Sequence, residues 1–507
     1  MSSKSDNQDV SRAWAYHNAT KHSQWSIRTS RHHLDWANQP LPLKIYTTLE
    51  PICLPRDAGQ TGISALSAIA AVPAADGPER IPTLADLARI LYFSAGITKK
   101  KTYPGGEIYF RAASCTGALY EFELYLVCGD LPDLDAGVYH FGPGDFSLRL
   151  LRAGDYRGVL IEATAHEQTV ARAPLTVICA GTYWRNAWKY QARTYRHFGW
   201  DNGTMLANML AMTTALQLPA TVVLGFVDDT INRLLGLDGA REVAFSMVSI
   251  GWMDVEPTAA PPEMPELSFP TVPLSQREVD YPELREIHRA SSLHTAEEVL
   301  EWRTRAQAAF QAPGLLVQAQ PVQPCFDVDT IEQVILRRGS TRRFAQTAIA
   351  QQQLYTILDA STRGVWRGLR LLNDIYVIIN AVDGVAPGAY FYDPDERTLE
   401  CLKEGDFRAE ARHLDLQQDL AGDAAAAIFF LADLNRVLAH MGNRGYRAVQ
   451  LEAGILGGKI YLAAYAQRLG ATGLTFFDDD VTAFFSPHAK GKSAIFLVAV
   501  GKGQRLR

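Results

Sequence analysis

Apolar positions along this chain alternate between a helical and a strand period, and the succession of periods occurs twice. Leu84, Leu87, Ala88 and Leu91 recur at i, i+3, i+4 and i+7, one face of a helix, and Leu354 and Leu358 repeat the spacing of Leu87 and Leu91. Phe122 to Cys128 and Leu175 to Ala180 are short apolar runs, which predicts buried strands. Gly203 to Leu218 has helical spacing, with alanine or methionine where close packing is expected, and Ala244 to Gly251 reads as a closing strand. Six prolines between Pro257 and Pro273 predict a stiff, extended tether. An amphipathic helix, His294 to Gln311, follows, and a second proline-containing stretch runs to Pro324.

The repetition extends to individual residues. Gly137-Val138-Tyr139-His140 recurs as Gly388-Ala389-Tyr390-Phe391, an offset of 251 (388 − 137). Arg193-Thr194-Tyr195-Arg196 recurs as Arg444-Gly445-Tyr446-Arg447, and Gly203 as Gly454, at the same offset. Phe226-Val227-Asp228-Asp229 aligns with Phe477-Asp478-Asp479-Asp480, so one gapless offset spans Gly137 to Asp229. Each copy is too long for a solenoid repeat. The expectation is a duplicated α+β domain, helices framing strands without strict βαβ alternation, whose copies dock as an intramolecular pseudo-dimer. The boundaries read as an N-terminal extension (1–80), a first domain (81–253), a proline-rich linker with one helix (254–327) and a second domain (328–507).

Composition narrows the class. At 507 residues, 47% hydrophobic and 21% charged, the chain is ordinary globular material with room for at least two cores. A net charge of −6 gives no general attraction to nucleic acid or anionic membrane, so any basic site is local. The six cysteines are scattered without metal spacing and read as reduced residues. Polar residues at the N-terminus and the lack of a long apolar run predict neither signal peptide nor span, hence a cytoplasmic protein. His17, His22, His32 and His33 lack a ligand pattern, so no metal is expected, and Pro104-Gly105-Gly106 reads as a turn.

The chemically useful residues are divided between the copies. Arg338-Gly339-Ser340-Thr341-Arg342 can converge two guanidinium groups and a hydroxyl on one phosphate, although the pattern alone also describes a solvated basic turn. Lys502 and Arg505, after the closing strand Ala494 to Val500, can reach the same anion or simply be a basic chain end. The first copy carries Ala71 to Ala75 opposite the arginine run, at a local offset of 267 (338 − 71), and nothing there binds phosphate. Instead it carries Ser114-Cys115-Thr116-Gly117-Ala118 after Arg111, small residues that let a flat ligand lie against the backbone, or an ordinary loop. Val365-Trp366-Arg367-Gly368-Leu369 replaces them with bulk in the second copy. Lys189-Tyr190, opposite His440-Met441, is a candidate acid/base pair; burial and the neighbouring Arg193 and Arg196 would lower the lysine pKa towards use as a base. Without context, a surface lysine beside a packed tyrosine describes it equally.

Together these residues resemble the nitroreductase-like flavoproteins, and among them the SagB/ThcOx-type dehydrogenases. Arg338, Ser340 and Arg342 are similar to the FMN-phosphate signature of that superfamily, with Lys502 and Arg505 as C-terminal partners. Thr475-Phe476 resembles a segment bordering the flavin. Arg111 to Tyr120, including Ser114, Cys115, Thr116 and Gly117, is similar to a loop that contacts the isoalloxazine from the opposite protomer. Lys189-Tyr190 through Arg193 to Arg196 resembles the Lys-Tyr motif of azoline oxidases. The segments Tyr16 to Ser23 and Leu34 to Pro40 also resemble this family. Two positions depart from it: Ala113 stands where many relatives have proline, and Gly503-Gln504 widens the Lys-x-Arg spacing. The resemblance implies one FMN per chain, phosphate held by the second domain and ring by the first, in an oxidoreductase acting on a small molecule or peptide. It implies azoline-to-azole or similar two-electron oxidation; an NAD(P)H-dependent nitro- or ene-reductase and a non-catalytic peptide-binding scaffold are the alternatives.

Overall fold

The computed structural model describes residues 6–56, 59–71, 78–103, 106–257, 260, 262–312, 329–366 and 368–504. Outside them fall Arg505, Arg367, Cys325, the Pro104-Gly105 turn, residues 72–75 opposite the arginine run, and the stretch before Pro324.

Strands in chain order are β1 (Ile52–Cys53), β2 (Ile97–Tyr103), β3 (Gly106–Arg111), β4 (Phe122–Cys128), β5 (Gly137–Gly142), β6 (Ser147–Ala153), β7 (Leu175–Thr182), β8 (Ala220–Val223) and β9 (Glu242–Ile250). The second half adds β10 (Ile349–Ala350), β11 (Asp374–Ile379), β12 (Val382–Asp383), β13 (Gly388–Asp393), β14 (Thr398–Glu404), β15 (Ala426–Ala432), β16 (Gly470–Leu474) and β17 (Ser493–Gly501). The first large sheet has the order β1-β6-β5-β4-β7-β9-β8, and the second β14-β13-β11-β15-β17-β16. Removing β1 leaves two six-stranded antiparallel sheets of identical topology. Their central strands are buried along their length, as the apolar runs require. The duplicated α+β domain is therefore what the chain folds into.

The two domains meet along their longest helices, Thr194–Ala215 and Leu434–Ala466, which are buried on nearly all faces. Repeat-equivalent residues face each other there. A Cβ on Gly203 would lie 2.5 Å from Gly454 Cα, and one on Gly458 would lie 2.6 Å from Ala207 Cβ, its counterpart. Such self-pairing marks a two-fold contact between like surfaces. Small residues on the helix are the condition for that close approach.

Buried ion pairs close the same interface reciprocally. Arg193 and Arg196 donate to Asp478 (3.2 and 2.6 Å), while Arg444 and Arg447 donate to Asp228 (2.5 and 3.0 Å). Burial alone would raise both carboxyl pKa values; the paired guanidinium groups hold them below the usual range instead. The partner of Asp228 is thus Asp478, at an offset of 250 (478 − 228), and not Asp479 as the gapless alignment expects. Asp479 is exposed and meets Lys21 at 2.8 Å. The slip occurs after the long helices: Leu218 and Leu469 still match, each donating to the helix C-terminus at 2.9 Å. Ala220 opposite Ile250 still matches Ala471 opposite Val500, and Val223 matches Leu474, whereas Phe226 matches Phe476, so one residue of Leu224-Gly225 has no counterpart.

The flanking segments are less separate than their prolines suggest. β1 extends the first sheet, and linker residues 270–274 pair with 41–47 of the extension, Leu41 N donating to Leu274 O at 2.7 Å. The linker holds two helices, Pro282–Ala290 and Ala296–Phe310, where a single one is expected from the sequence. The short first one hides in the sequence because Pro282 starts it.

Candidate active site

The Lys189-Tyr190 pair sits at the end of the helix Tyr183–Tyr190. Three anchors fix this helix: Trp184 Nε1 donates to Ser275 (2.8 Å), Trp188 Nε1 to Asp35 O (3.0 Å), and Arg185 is ion-paired with Glu123. Gln191 then breaks the helix with φ 50 and ψ −138, a backbone region that the second domain fills with Gly442 (φ 63, ψ −161). Tyr190 packs edge-on against His197 at 4.5 Å. Lys189 is half-buried, its ammonium 5.3 Å from the Tyr190 ring centroid.

The small-residue loop lies directly against Tyr190. Gly117 has φ 65, and a Cβ there would come within 3.0 Å of the Tyr190 hydroxyl, so glycine makes the room. Thr204 Oγ1 donates to Ser114 O (2.7 Å), and Thr116 donates through N and Oγ1 to Asp201 Oδ1, both at 2.8 Å. Cys115 is turned inward, 3.3 Å from Glu121.

Second-domain residues reach the same place. Arg338 Nε donates to Ala112 O (2.9 Å) and its NH2 lies 3.5 Å from Arg111 O, so this buried arginine grips the ring loop's own backbone. In return, Lys99 Nζ donates to Arg338 O at 3.0 Å. Ser340 Oγ meets the Tyr461 hydroxyl at 3.2 Å. Arg342 is exposed, and its charge acts on both Lys189 and Tyr190. The exposed Lys502 is brought alongside by an antiparallel bridge, Phe344 opposite Gly503, with Ala345 N donating to Lys502 O (2.9 Å). Arg111 is committed elsewhere, to Phe122 O (3.0 Å) and Pro42 O (2.6 Å).

Two expected electrostatic roles change. The Lys189 pKa is lowered, as the sequence predicts, but by burial and then by Arg342 of the other domain. Arg193 and Arg196 neutralise Asp478 instead. Tyr190 is pushed well above its ordinary value, first by burial and then by Asp201, Cys115 and Glu121. It is a proton donor at neutral pH, and Lys189 is the member of the pair moving towards base character.

A flat, polar-edged group fits this joint. Arg193 Nε and NH2, Gln450 Nε2 and Thr475 Oγ1 are buried without a protein partner, and such groups require one. Arg193 lies 5.7 Å from the rings of both Trp200 and Phe476, and Trp200 Nε1 donates to Gln450 Oε1 (2.8 Å). An isoalloxazine offers both stacking faces and edge acceptors to such a set. Trp200, Gln450 and Tyr461 are absent from the sequence-level candidates; they lie on the long interface helices, where an isolated residue gives no local signal.

Comparison with known proteins agrees with this architecture. Residues 335–502 match the nitroreductase family. A nitroreductase-family protein of Methanocaldococcus jannaschii is 28% identical over 169 residues, covering 33% of this chain and 80% of that one. The crystal structure of a nitroreductase-family protein from Anabaena variabilis is 26% identical, with a TM-score of 0.77 over 97% of this chain and 99% of its own. The chain is nitroreductase-like in fold throughout its length, and its second domain is nitroreductase-like in sequence as well.

Proposed function

We propose that this chain is an FMN-dependent oxidoreductase, a dehydrogenase of the SagB/ThcOx azoline-oxidase type, with one composite site between its domains. The observation that carries the reading is the joint between the domains: Arg338 of the second domain holds Ala112 O beside the loop whose Gly117 packs on Tyr190 of the first, and the charge of Arg342 bears on Lys189 and Tyr190 from the same side. Arg342 and Lys502 supply positive charge for the cofactor phosphate, with Ser340 beside them. The loop Ser114–Gly117 and the Thr475-Phe476 segment border its ring, with Arg193 offering its unpaired N–H groups. Bound FMN would supply a two-electron acceptor. Lys189 takes the proton that substrate oxidation releases, and the neutral Tyr190 orients the substrate through its hydroxyl. The residues opposite, His440-Met441, offer no such pair.

Releasing the flavin and measuring it against protein tests the composite site: the expected ratio is one per chain. A ratio near two overturns the division of labour, and a colourless protein favours the scaffold. Rapid anaerobic bleaching by NADPH would move the assignment to a nitro- or ene-reductase.

A further inference from the structure

Behind the ring loop lie two carboxyl groups for which the proposed reaction has no role. Glu121 immediately precedes β4, and Asp201 lies two turns into the first long helix. Their carboxyl oxygens and Cys115 Sγ lie within 4.8 Å of one another. Both residues are buried. Asp201 Oδ1 receives both Thr116 donors, Glu121 Oε1 receives Asn186 Nδ2 (3.3 Å), and Cys115 Sγ approaches the remaining oxygens at 3.3 and 3.4 Å.

The cations on this wall are engaged elsewhere, Arg185 with Glu123 and Arg111 with carbonyl oxygens. Two carboxylates at this separation, out of water and without a cation, cannot both be ionised. Burial pushes both pKa values up; Glu121 pushes Asp201 further up, while Asp201 acts on Glu121 in the opposite direction.

An independent observation comes from the second domain. Asp201 is matched at offset 251 by Glu452, whose carboxylate is filled by donors: Leu372 N (2.8 Å), Asn373 N (2.8 Å), Asn373 Nδ2 (2.9 Å) and the Trp366 indole. The strand register that aligns Tyr125 with Tyr376 places Leu372 opposite Glu121. The acid pair therefore occurs only in the domain that carries Lys189-Tyr190. A cavity of about 20 Å³, room for one water, adjoins it between Arg111, Ser114 and Met205.

We propose that Glu121 and Asp201 share one proton, and that this pair is a positioning unit which seats the ring loop through Thr116 and keeps Tyr190 a proton donor. The shared proton fixes the net charge at minus one. That charge faces Tyr190 across Gly117, while the guanidinium of Arg342 acts on the same phenol from the other domain. Cys115, Tyr120 and Arg111 are the other titratable groups facing the pair. The functional half of the proposal rests on the flavoenzyme reading; the shared proton does not.

The test is infrared difference spectroscopy of the purified protein in H2O and D2O at neutral pH, with Glu121→Gln and Asp201→Asn. Both amides keep an acceptor oxygen for Asn186 or Thr116 and add a donor to the remaining carboxylate. Besides the bands of Asp415 and Glu452, whose pKa values burial raises to about 8 and about 7, the wild type should show a protonated-carboxyl band that both variants lack. Linkage gives a second readout. An acid with a raised folded pKa favours folding below its ordinary pKa and loses that advantage as pH rises towards the raised value. The melting temperature of Asp201→Asn relative to wild type should therefore climb from about pH 4 upwards. For the functional half, Glu121→Gln/Asp201→Asn removes the charge, so the Tyr190 phenol, isolated as the difference from Tyr190→Phe, should ionise at lower pH. Failure of both variants to remove a protonated-carboxyl band present in the wild type, a pH-independent melting difference, or a stoichiometric divalent cation recovered from the protein would each overturn the shared proton. An unmoved phenol overturns the positioning role. If the band is present and no flavin is found, the cofactor reading falls and the acid pair stands.

Discussion

The helix ends at Tyr190 and at Met441 are the same piece of architecture used in two ways. Each is followed by a backbone break of the same hand, Gln191 or Gly442, and each leads into a long interface helix through an arginine pair, Arg193/Arg196 or Arg444/Arg447. In both domains those arginines neutralise the aspartate of the other domain. One copy presents lysine and tyrosine at the break, with an acid pair behind them; the other presents His440-Met441, with Glu452 held by the backbone N–H groups of Leu372 and Asn373, the Asn373 amide and the Trp366 indole. Interface residues are kept in register by the two-fold packing, and residues just outside it are free to diverge. Symmetry here belongs to the scaffold and asymmetry to the chemistry.

The comparison breaks first at the lysines. Lys189→Ala should retain flavin but slow substrate-driven flavin reduction by about 10²–10⁴-fold, the usual worth of a placed proton acceptor, whereas His440→Ala should leave the rate unchanged. Stopped-flow absorbance of the flavin decides; equal rates for the two variants would remove the asymmetry. Next come the aspartates, where symmetry should hold. Asp228→Asn and Asp478→Asn each leave two buried guanidinium groups without a counter-charge, and each should cost about 3–5 kcal/mol in denaturant unfolding. A large loss in only one would show that the two clusters do not bear equally on the interface. Gly203→Ala and Gly454→Ala should each cost about 1–3 kcal/mol by overpacking the helix contact, visible as lowered melting temperatures of similar size. The smallest effect sharpens the site itself. Arg342→Ala removes the cation that lowers the Lys189 pKa, so the lysine pKa rises and the rise of activity with pH moves to higher pH, with flavin held about tenfold less tightly.

The duplication, the strands and the division of residues between copies were legible because each is written in local sequence or in a fixed offset. Leu175 to Ala180 needed only its apolar run, and Gly203 needed only its twin. The slip between Val223 and Phe226 was not legible: phenylalanine and aspartate runs align equally well one residue either way, and only the arginine contacts choose. The cross-domain arginine and aspartate partners are separated by more than 200 residues, and nothing local tells Arg193 that its charge belongs to Asp478. Lys189 and Arg342, like Glu121 and Asp201, become neighbours only once the domains fold and dock. The alignment did point to Ala71 as the counterpart of Arg338. Each follows a short helix, and those helices pair through the bridge Ser64–Thr330.

The covalent continuity of the chain changes what a single substitution can do. In an assembly of two identical subunits, every coding change is displayed twice, once on each side of the dyad, so loss of a ring loop removes both sites together. Here a change is displayed once. Trp366 can fill the space equivalent to Thr116 while Thr116 is kept, and a strap paired along residues 41–47 holds the differing halves in one molecule. Fusion thus turns an obligatory twin into a partner that can be specialised, and gives a gene the freedom of a heterodimer without requiring two products to find each other.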